Sequence, residues 1–590
     1  MAAQKIENLI TDHLDLWTAA VRPKSSAGRG SNSKLELTGI KKLRELILEL
    51  AVRGKLVPQD PSDGPASVLL ARIAAAKAQL VKDGKIKKPK ALPEISEEEK
   101  PFELPEGWVC IRLGDLTSKM GSGSTPRGGQ SAYVSEGIPF LRSQNVWNEG
   151  LRLDDVVYID ENTHLKMEGT KVIPGDVLLN ITGASLGRAL IFPDSIKEAN
   201  VSQHVTIIRL LIDELAPFVH LGIKSPLVQD LIWGRQVGMA IEGLSKRTLE
   251  LFEFPIPPLA EQHRIVAKVD ELMALCDQLE QLSELQLAAH QTLVETLLAT
   301  LTDSADADEL AQNWARLTTH FDTLFTTDAS IDALKQTILQ LAVMGKLVPQ
   351  DPSDEPASAL LERIAAEKAQ LVKEKKIKKE KPLPAISEDE KPFELPKGWE
   401  WCRLPDLGEL ARGKSKHRPR NDPKLYVNGT IPLVQTGDVA RADGLIESYT
   451  AMYNEIGLAQ SQLWPKGTLC ITIAANIADT GILGFDACFP DSVVGYTPYE
   501  SSLPVVYFDF FIRTAKENLE RFAPSTAQKN INLEILSNIL VPCPPTQEFI
   551  RIVSRVNDLF AICDQLKSRL QTSQQTQLVL AESLVEGALA

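Results

Sequence analysis

The sequence is short of the features by which many function classes announce themselves. No window approaches the ~18 consecutive apolar residues of a membrane span, and the leading stretch MAAQKIENLITDHLDLW lacks the basic-then-apolar pattern of a secretory signal. A cytoplasmic protein with no membrane partner is expected. Seven cysteines in 590 residues, at positions 110, 276, 402, 470, 488, 543 and 563, form no C-x-x-C and have no nearby histidine pair. That excludes a disulfide framework and a zinc module and leaves buried thiols. Positive charge is not in excess either: 64 Lys and Arg stand against 78 Asp and Glu, for a net charge of -14. Such a chain does not coat nucleic acid nonspecifically, so any nucleic-acid surface must be local or shared with a partner. With 43% hydrophobic and 24% charged residues the bulk of the chain folds, and its length predicts roughly three to five packed units.

What the sequence does contain is a duplication. Residues 50–82, LAVRGKLVPQDPSDGPASVLLARIAAAKAQLVK, return 291 positions later as LAVMGKLVPQDPSDEPASALLERIAAEKAQLVK, with 28 of 33 identical. The match continues through basic stretches (Lys85, Ile86, Lys87, Lys88 against Lys376, Ile377, Lys378, Lys379) to PFELPEGW and PFELPKGW, ending at Trp108 and Trp399. Dissimilar sequence follows in each copy until PIPPLAEQHRIVAKVDELMALCDQL (255–279) meets PCPPTQEFIRIVSRVNDLFAICDQL (542–566), with 14 of 25 identical. The scaffold is repeated and the inserts are not. Equivalent scaffold segments imply approximate twofold packing, like an isologous dimer fused into one chain, with unlike inserts at related places. A reader of a two-part asymmetric target needs that arrangement; a duplication in which one insert simply drifted is the alternative.

Periodicity supplies the elements. Ile265, Val269, Leu272, Cys276 and Leu279 recur at spacings of four and three, as do Ile552, Val556, Leu559, Cys563 and Leu566, which predicts long helices with a coiled-coil seam. Pro257–Pro258 and Pro544–Pro545 set their starts. A helix of ~40 residues is ~60 Å long, nearly two turns of B-DNA at ~34 Å each, so the pair could serve as a ruler or simply as a packing stripe. Each repeat opens with a shorter helix (Ile40–Val52; Ile331–Val343), a Gly-Lys-Leu-Val-Pro turn, and a second helix from about Pro65 or Pro356. The basic tail Lys82 to Lys90 reads as solvated linker, with phosphate contact as the sharper option, and 22–34 as a mobile loop. The boundaries that follow are a scaffold repeat at 1–107, an insert at 108–256, a central helix with the second scaffold repeat at 257–398, a second insert at 399–543, and a terminal helix at 544–590.

Both inserts read as short strands between turns: 137–146, 172–182 and 187–192 in the first, 430–439, 463–474 and 481–489 in the second. Their shared rhythm suggests one fold with two readouts. Three motifs bear on catalysis. Gly408 to Ser415 satisfies G-x-x-x-x-G-K-[ST], but prolines occupy the place of the helix that a phosphate-binding loop must open. Gly183-Ala-Ser185-Leu-Gly187 matches G-x-S-x-G, yet a strand rather than a helix follows. No Asp/Asn-Pro-Pro-Tyr/Phe occurs, so no base-flipping methyltransferase centre is encoded. No catalytic residue and no metal ligand is therefore assigned.

Polar and basic turns remain. Between 409 and 424 lie Arg412, Lys414, Lys416, Arg418, Arg420 and Lys424 against Glu409 and Asp422 only, a basic loop on an acidic protein suited to phosphate or major-groove contact. The first insert has Ser122, Ser124, Thr125 and Arg127 at the corresponding place. Arg142, Gln144 and Asn145, against Gln435, Thr436 and Asp438, can hydrogen-bond base edges, though each singly can equally be an ordinary surface group. Ser185, Arg188, Lys246, Arg247, Lys529 and Asn530 complete the candidate DNA-binding set.

The ensemble of the PIPPLAEQHRIV and PCPPTQEFIRIV segments, the LAVxGKLVPQDP repeat, the GSGSTP loop, GIPFLRSQNV and PGDVLLNITGASLGR resembles the specificity subunit of type I restriction and modification enzymes. The resemblance spans essentially the whole chain. It implies a mixed α+β fold: two globular α/β target-recognition domains separated by two long antiparallel helices with a pseudo-twofold repeat, reading an interrupted, asymmetric sequence in double-stranded DNA. Two copies of a methyltransferase subunit using S-adenosylmethionine would methylate adenine in the bacterial or archaeal cell. A separate restriction subunit would use ATP and Mg, and this chain would bind no cofactor itself. The second insert departs from the pattern, with Gly413-Lys-Ser in place of the Ser-Thr-Pro loop and no clear Thr-Gly-x-Ser turn. A bivalent protein-binding adaptor and a P-loop or serine-type enzyme are the alternatives.

Overall fold

The two proline pairs end extended segments, and the helices they release are the longest in the molecule: Leu259–Thr302 and Thr546–Leu589, 44 residues each. The computed structural model describes residues 8–23, 35–236, 243–305, 307–375, 377, 382–417, 419–474, 477–521 and 531–589, the side chains of 517, 518, 520 and 521 excepted. They form two compact units, one of residues up to 286 with 572 onward, the other of 287–571. The fold is mixed helix and sheet, and no helix among the described residues is long and apolar enough to cross a membrane.

The scaffold repeat of the sequence is a repeat of contacts. The shorter helix is Thr38–Val52 in one unit and Asp328–Val343 in the other, each a few residues longer at its start than the sequence suggests. Both end at a glycine in the left-handed region, Gly54 (φ 67) and Gly345 (φ 69). A Cβ there would also meet Trp108 or Trp399 at 2.9 Å, so both conformation and space demand glycine. The next residue closes the carboxyl end of a long helix: Lys55 Nζ donates to Leu589 O (2.6 Å), and Lys346 Nζ to Thr302 O (2.8 Å) and Ser304 O (3.0 Å). An ammonium at exposed carbonyls is favourable for hydrogen bonding and for the helix dipole alike. The second helix of each repeat is Ala66–Lys82 or Ala357–Lys373.

Both apolar stripes are buried except at their last residues, Leu279 and Leu566, which are half-buried. In the second unit Ile552, Val556, Leu559 and Cys563 share one core with Ile331, Leu334, Ile338 and Leu341 of the shorter helix, and with Val294, Leu298 and Leu301 from the end of the first long helix. The stripe read as a coiled-coil seam thus also receives the shorter scaffold helix. Ion pairs flank that contact, Lys335–Asp564 (2.5 Å) and Lys567–Asp332 (3.0 Å), as Arg44 with Asp277 (2.7 Å) and Glu280 (2.6 Å) does in the first unit.

Each insert is anchored at its base by two antiparallel strands, Val109–Arg112 with Glu253–Ile256, and Glu400–Arg403 with Leu540–Cys543. Just outside lies a buried hydrogen bond from Trp108 Nε1 to Glu261 (3.1 Å), repeated as Trp399 to Glu548 (3.0 Å). Gln59 and Gln350 donate to the same carboxylates.

Inside, the two inserts follow one strand order. The first has a four-stranded sheet ordered 189–191, 177–180, 205–210, 117–122; the second has 480–483, 469–472, 493–498, 408–412, with 445–446 added at the edge. The other sheet runs 171–172, 199–201, 138–141, 157–159, 133–134 in the first and 463–464, 487–488, 431–433, 451–453 in the second. In each, one central pair is parallel, Ile138–Leu141 with Ala199–Val201 and Ile431–Leu433 with Ala487–Cys488.

Burial holds the Glu261 carboxyl above the usual carboxylate range, opposed by the Trp108 and Gln59 hydrogen bonds. The folded chain therefore binds this proton more readily than the unfolded chain, and stability falls as pH rises through the interval between the ordinary and the raised value. Trp108→Phe keeps the ring packing and removes the donor, so it should cost about 1–3 kcal/mol at alkaline pH and less once Glu261 is protonated. Chemical denaturation of both proteins at mildly acid and mildly alkaline pH checks this; a deficit that grows on acidification contradicts it.

Candidate nucleic-acid interface

The strand order dictates where the candidate residues fall. In the first insert Thr117–Ser122 ends beside the start of Val205–Leu210, and Val177–Asn180 ends against the same residues from the other side (Ser122 opposite Thr206; Asn180 opposite Val205). The Ser202 amide bonds Leu141 O (2.9 Å), which brings the end of Ile138–Leu141 to the same place. Ser122, at the end of its strand, and Ser124, Thr125, Arg142, Gln144, Ser185 and Arg188, in the turns beyond the strands, therefore lie at one end of the two sheets. Leu244 N donates to Ile181 O (2.9 Å) and Gly243 bridges Thr182, so Lys246 and Arg247, exposed in the helix Lys246–Glu250, begin from the same end.

Glycines hold the loop that starts there. Gly123 N donates to Val205 O (3.0 Å) and Gly413 N to Val493 O (2.9 Å), which makes the two loops equivalent residue for residue: Ser122 with Arg412, Ser124 with Lys414, Thr125 with Ser415. A Cβ on Gly123 would lie 1.9 Å from Val201 O, and on Gly413 2.4 Å from Pro490 O. In the first insert the Thr125 hydroxyl bonds the Gln203 side chain, while Arg127 is exposed with no ion pair to a described residue. In the second, Arg412 donates to Asp491 O and Arg420 pairs with Asp491 (2.6 Å). His417 and the Lys424 amide engage Asp422 and hold its carboxyl below the usual range. Lys414, Lys416 and Lys424 are exposed without an ion pair to a described residue, and Arg412 bonds only a backbone carbonyl, so the loop keeps positive charge available. Arg418, Lys529 and Asn530 lie outside the described residues.

The segments 142–145 and 435–438 are also equivalent, but they divide into surface and support. Asn145 is fully buried: its Oδ1 accepts from Arg142 N (2.9 Å), and its Nδ2 donates to Arg152 O (2.9 Å) and Asp155 (3.0 Å). Asp438, also buried, accepts from Gln435 N (2.8 Å), Arg441 (2.6 Å) and Thr450 (3.2 Å). The expectation of base contact by these two is corrected: each is the internal clasp of a turn and offers no free edge to a base. Arg142 donates to Asp155 O (2.7 Å) and Gln144 bonds the Asp155 carboxylate, while Gln435 is exposed and Thr436 half-buried. Ser185 sits in a single turn between Val177–Asn180 and Ala189–Ile191, with Thr182 O as acceptor (3.4 Å); neither it nor the Gly408–Arg412 strand has the helix that the two catalytic motifs require. Trp147, Arg152 and Gln203, which touch candidate residues here, are not among the sequence candidates; no spacing rule connects them.

The model of the type I restriction modification DNA specificity domain matches residues 105–288 and 396–573. The specificity subunit of the type I restriction enzyme EcoEI of Escherichia coli is 44% identical over 99% of this chain and the whole of its own length. That of EcoAI, also of Escherichia coli, is 41% identical over the same shares. A solved structure concerned with assembly and conformational transition of a type I restriction-modification system aligns at 16% identity and TM-score 0.49, over 83% of this chain and 99% of that one. The chain belongs to the type I DNA specificity subunit family: it recognises DNA targets and is not itself an enzyme.

Gly123→Ala should displace the loop against Val201 O, costing upwards of about 2 kcal/mol in unfolding, whereas Gly121→Ala, with open space at its Cβ, should be near neutral. Thermal denaturation of the two variants side by side decides.

Proposed function

We propose that the two inserts, 108–256 and 399–543, are target-recognition domains, each reading one half of an interrupted asymmetric DNA sequence while the long helices hold them a fixed distance apart in antiparallel array. The observation that carries this is the pairing of one strand order with unlike loop ends: a hydroxyl-rich loop with Arg142 and Arg188 nearby in the first, a lysine-rich loop in the second. In this reading Ser124, Thr125 and Arg127 approach the duplex from the first insert, with Lys246 and Arg247 beside them. Lys414 and Lys416 meet phosphates from the second. The repeated scaffold docks two copies of a methyltransferase subunit, which use S-adenosylmethionine to methylate adenine, and a restriction subunit supplies ATP- and Mg-dependent translocation and cleavage. The net charge of -14 fits a chain that contributes readout while its partners clamp the duplex.

Exchanging residues 109–254 for an unrelated insert should change one half of the methylated sequence and leave the other intact, as mapped on DNA from cells carrying the complete system. A changed protein partner with an unchanged DNA target would favour an adaptor instead. Lys414→Ala and Lys416→Ala should each weaken binding of the assembled complex evenly across sequences and lower the salt-dependence slope by about one; an effect confined to one base pair would assign that lysine to a base.

A further inference from the structure

One construction at the loop end of the first insert has no counterpart among the described residues of the second. Trp147 lies in a two-stranded hairpin, Val146–Trp147 with Gly150–Leu151. The guanidinium carbon of Arg152 lies 3.6 Å from its ring centre and that of Arg188 3.7 Å. Both cannot fit on one face at that distance, so the indole is sandwiched, and a planar guanidinium comes this close to a ring only face to face.

The stack is assembled by backbone contacts that leave little freedom. Arg152 N donates to Asn145 O (2.9 Å) and Arg152 O accepts from the buried Asn145 carboxamide (2.9 Å). Arg188 O accepts from Asn180 N (2.9 Å). The Asn148 side chain accepts from Ala189 N (3.0 Å), tying the hairpin to the strand beyond Arg188, and Trp147 Nε1 donates to Gln144 O (2.7 Å). Arg152 keeps about half its side chain exposed, with one loose ion pair to Glu149 at 3.8 Å; Arg188 is half-buried and has no ion pair with a described residue. Stacking on a ring face leaves the in-plane N–H donors of both guanidinium groups free of the indole.

That spacing has a meaning in DNA. Parallel guanidinium planes on either side of one ring are about 7 Å apart, which is two base-pair steps of about 3.4 Å each. A guanidinium that bonds the O6 and N7 of guanine lies in the plane of that base. We propose that Arg152 and Arg188 are base-reading residues, held parallel on the two faces of Trp147 so as to recognise two guanines that lie two base-pair steps apart in one half of the target. This rests on the reading of the first insert as a target-recognition domain.

The test maps methylated sites in DNA from cells carrying the complete system. One half of the wild-type sequence should contain two G·C pairs separated by one pair. Arg152→Ala should relax one of these positions and Arg188→Ala the other, each by about 5- to 150-fold in discrimination, and Trp147→Leu, which keeps both charges and removes their platform, should relax both. A wild-type sequence with no such pair in either half overturns the assignment even if a variant fails to assemble. So does methylation that falls evenly at all sites in the arginine variants, the mark of phosphate contact. If the half-site follows the insert in the 109–254 exchange but ignores these arginines, only this assignment fails; if it ignores the insert, the underlying reading fails.

Discussion

Scaffold and insert meet at one buried hydrogen bond, made twice. Trp108 immediately precedes the first strand of its insert, and Glu261 follows the last by only a few residues, in the opening turn of a long helix. Their contact fastens the way in and the way out of the insert at one point. An unpaired carboxylate at 1% exposure is costly, so the geometry is held by the penalty of breaking it as much as by the bond. The same glycine turn packs on the back of each tryptophan, linking the short scaffold helix to this junction.

The scaffold was almost fully legible. Proline pairs, glycine turns and four-and-three spacing each have a local cause, and the duplication supplied an internal check on every one. The inserts were legible as alternating strands, because alternation is also local. Their loop ends were not. Asn145 and Asp438 look like surface polar groups in sequence; their burial depends on partners such as Asp155 and Thr450 that only the fold brings near. Trp147, Arg152 and Arg188 come from a hairpin and a distant strand edge, so no periodicity joins them. The helix Ala307–Thr319 also went unread, since its pattern sits outside the repeated segment.

In the proposed reading, two inserts with one strand order and different loop chemistry separate architecture from readout. The buried residues that turn each loop are alike in role, Asn145 beside Asp438 and Gly123 beside Gly413, while the residues beside them differ: hydroxyls and stacked arginines in one, lysines in the other. Sheet ends suit such work, because the strands fix the loop bases and leave the tips free to vary.

The strand pairs 109–112 with 253–256 and 400–403 with 540–543 place the two termini of each insert side by side. A module whose ends are neighbours can be lifted out and another grafted in without lengthening or stretching the chain around it. If the inserts are the readers proposed above, recombination at the repeated flanking sequence would deliver a new cassette onto an unaltered frame, so that a lineage could acquire a fresh recognition sequence in a single genetic event rather than residue by residue.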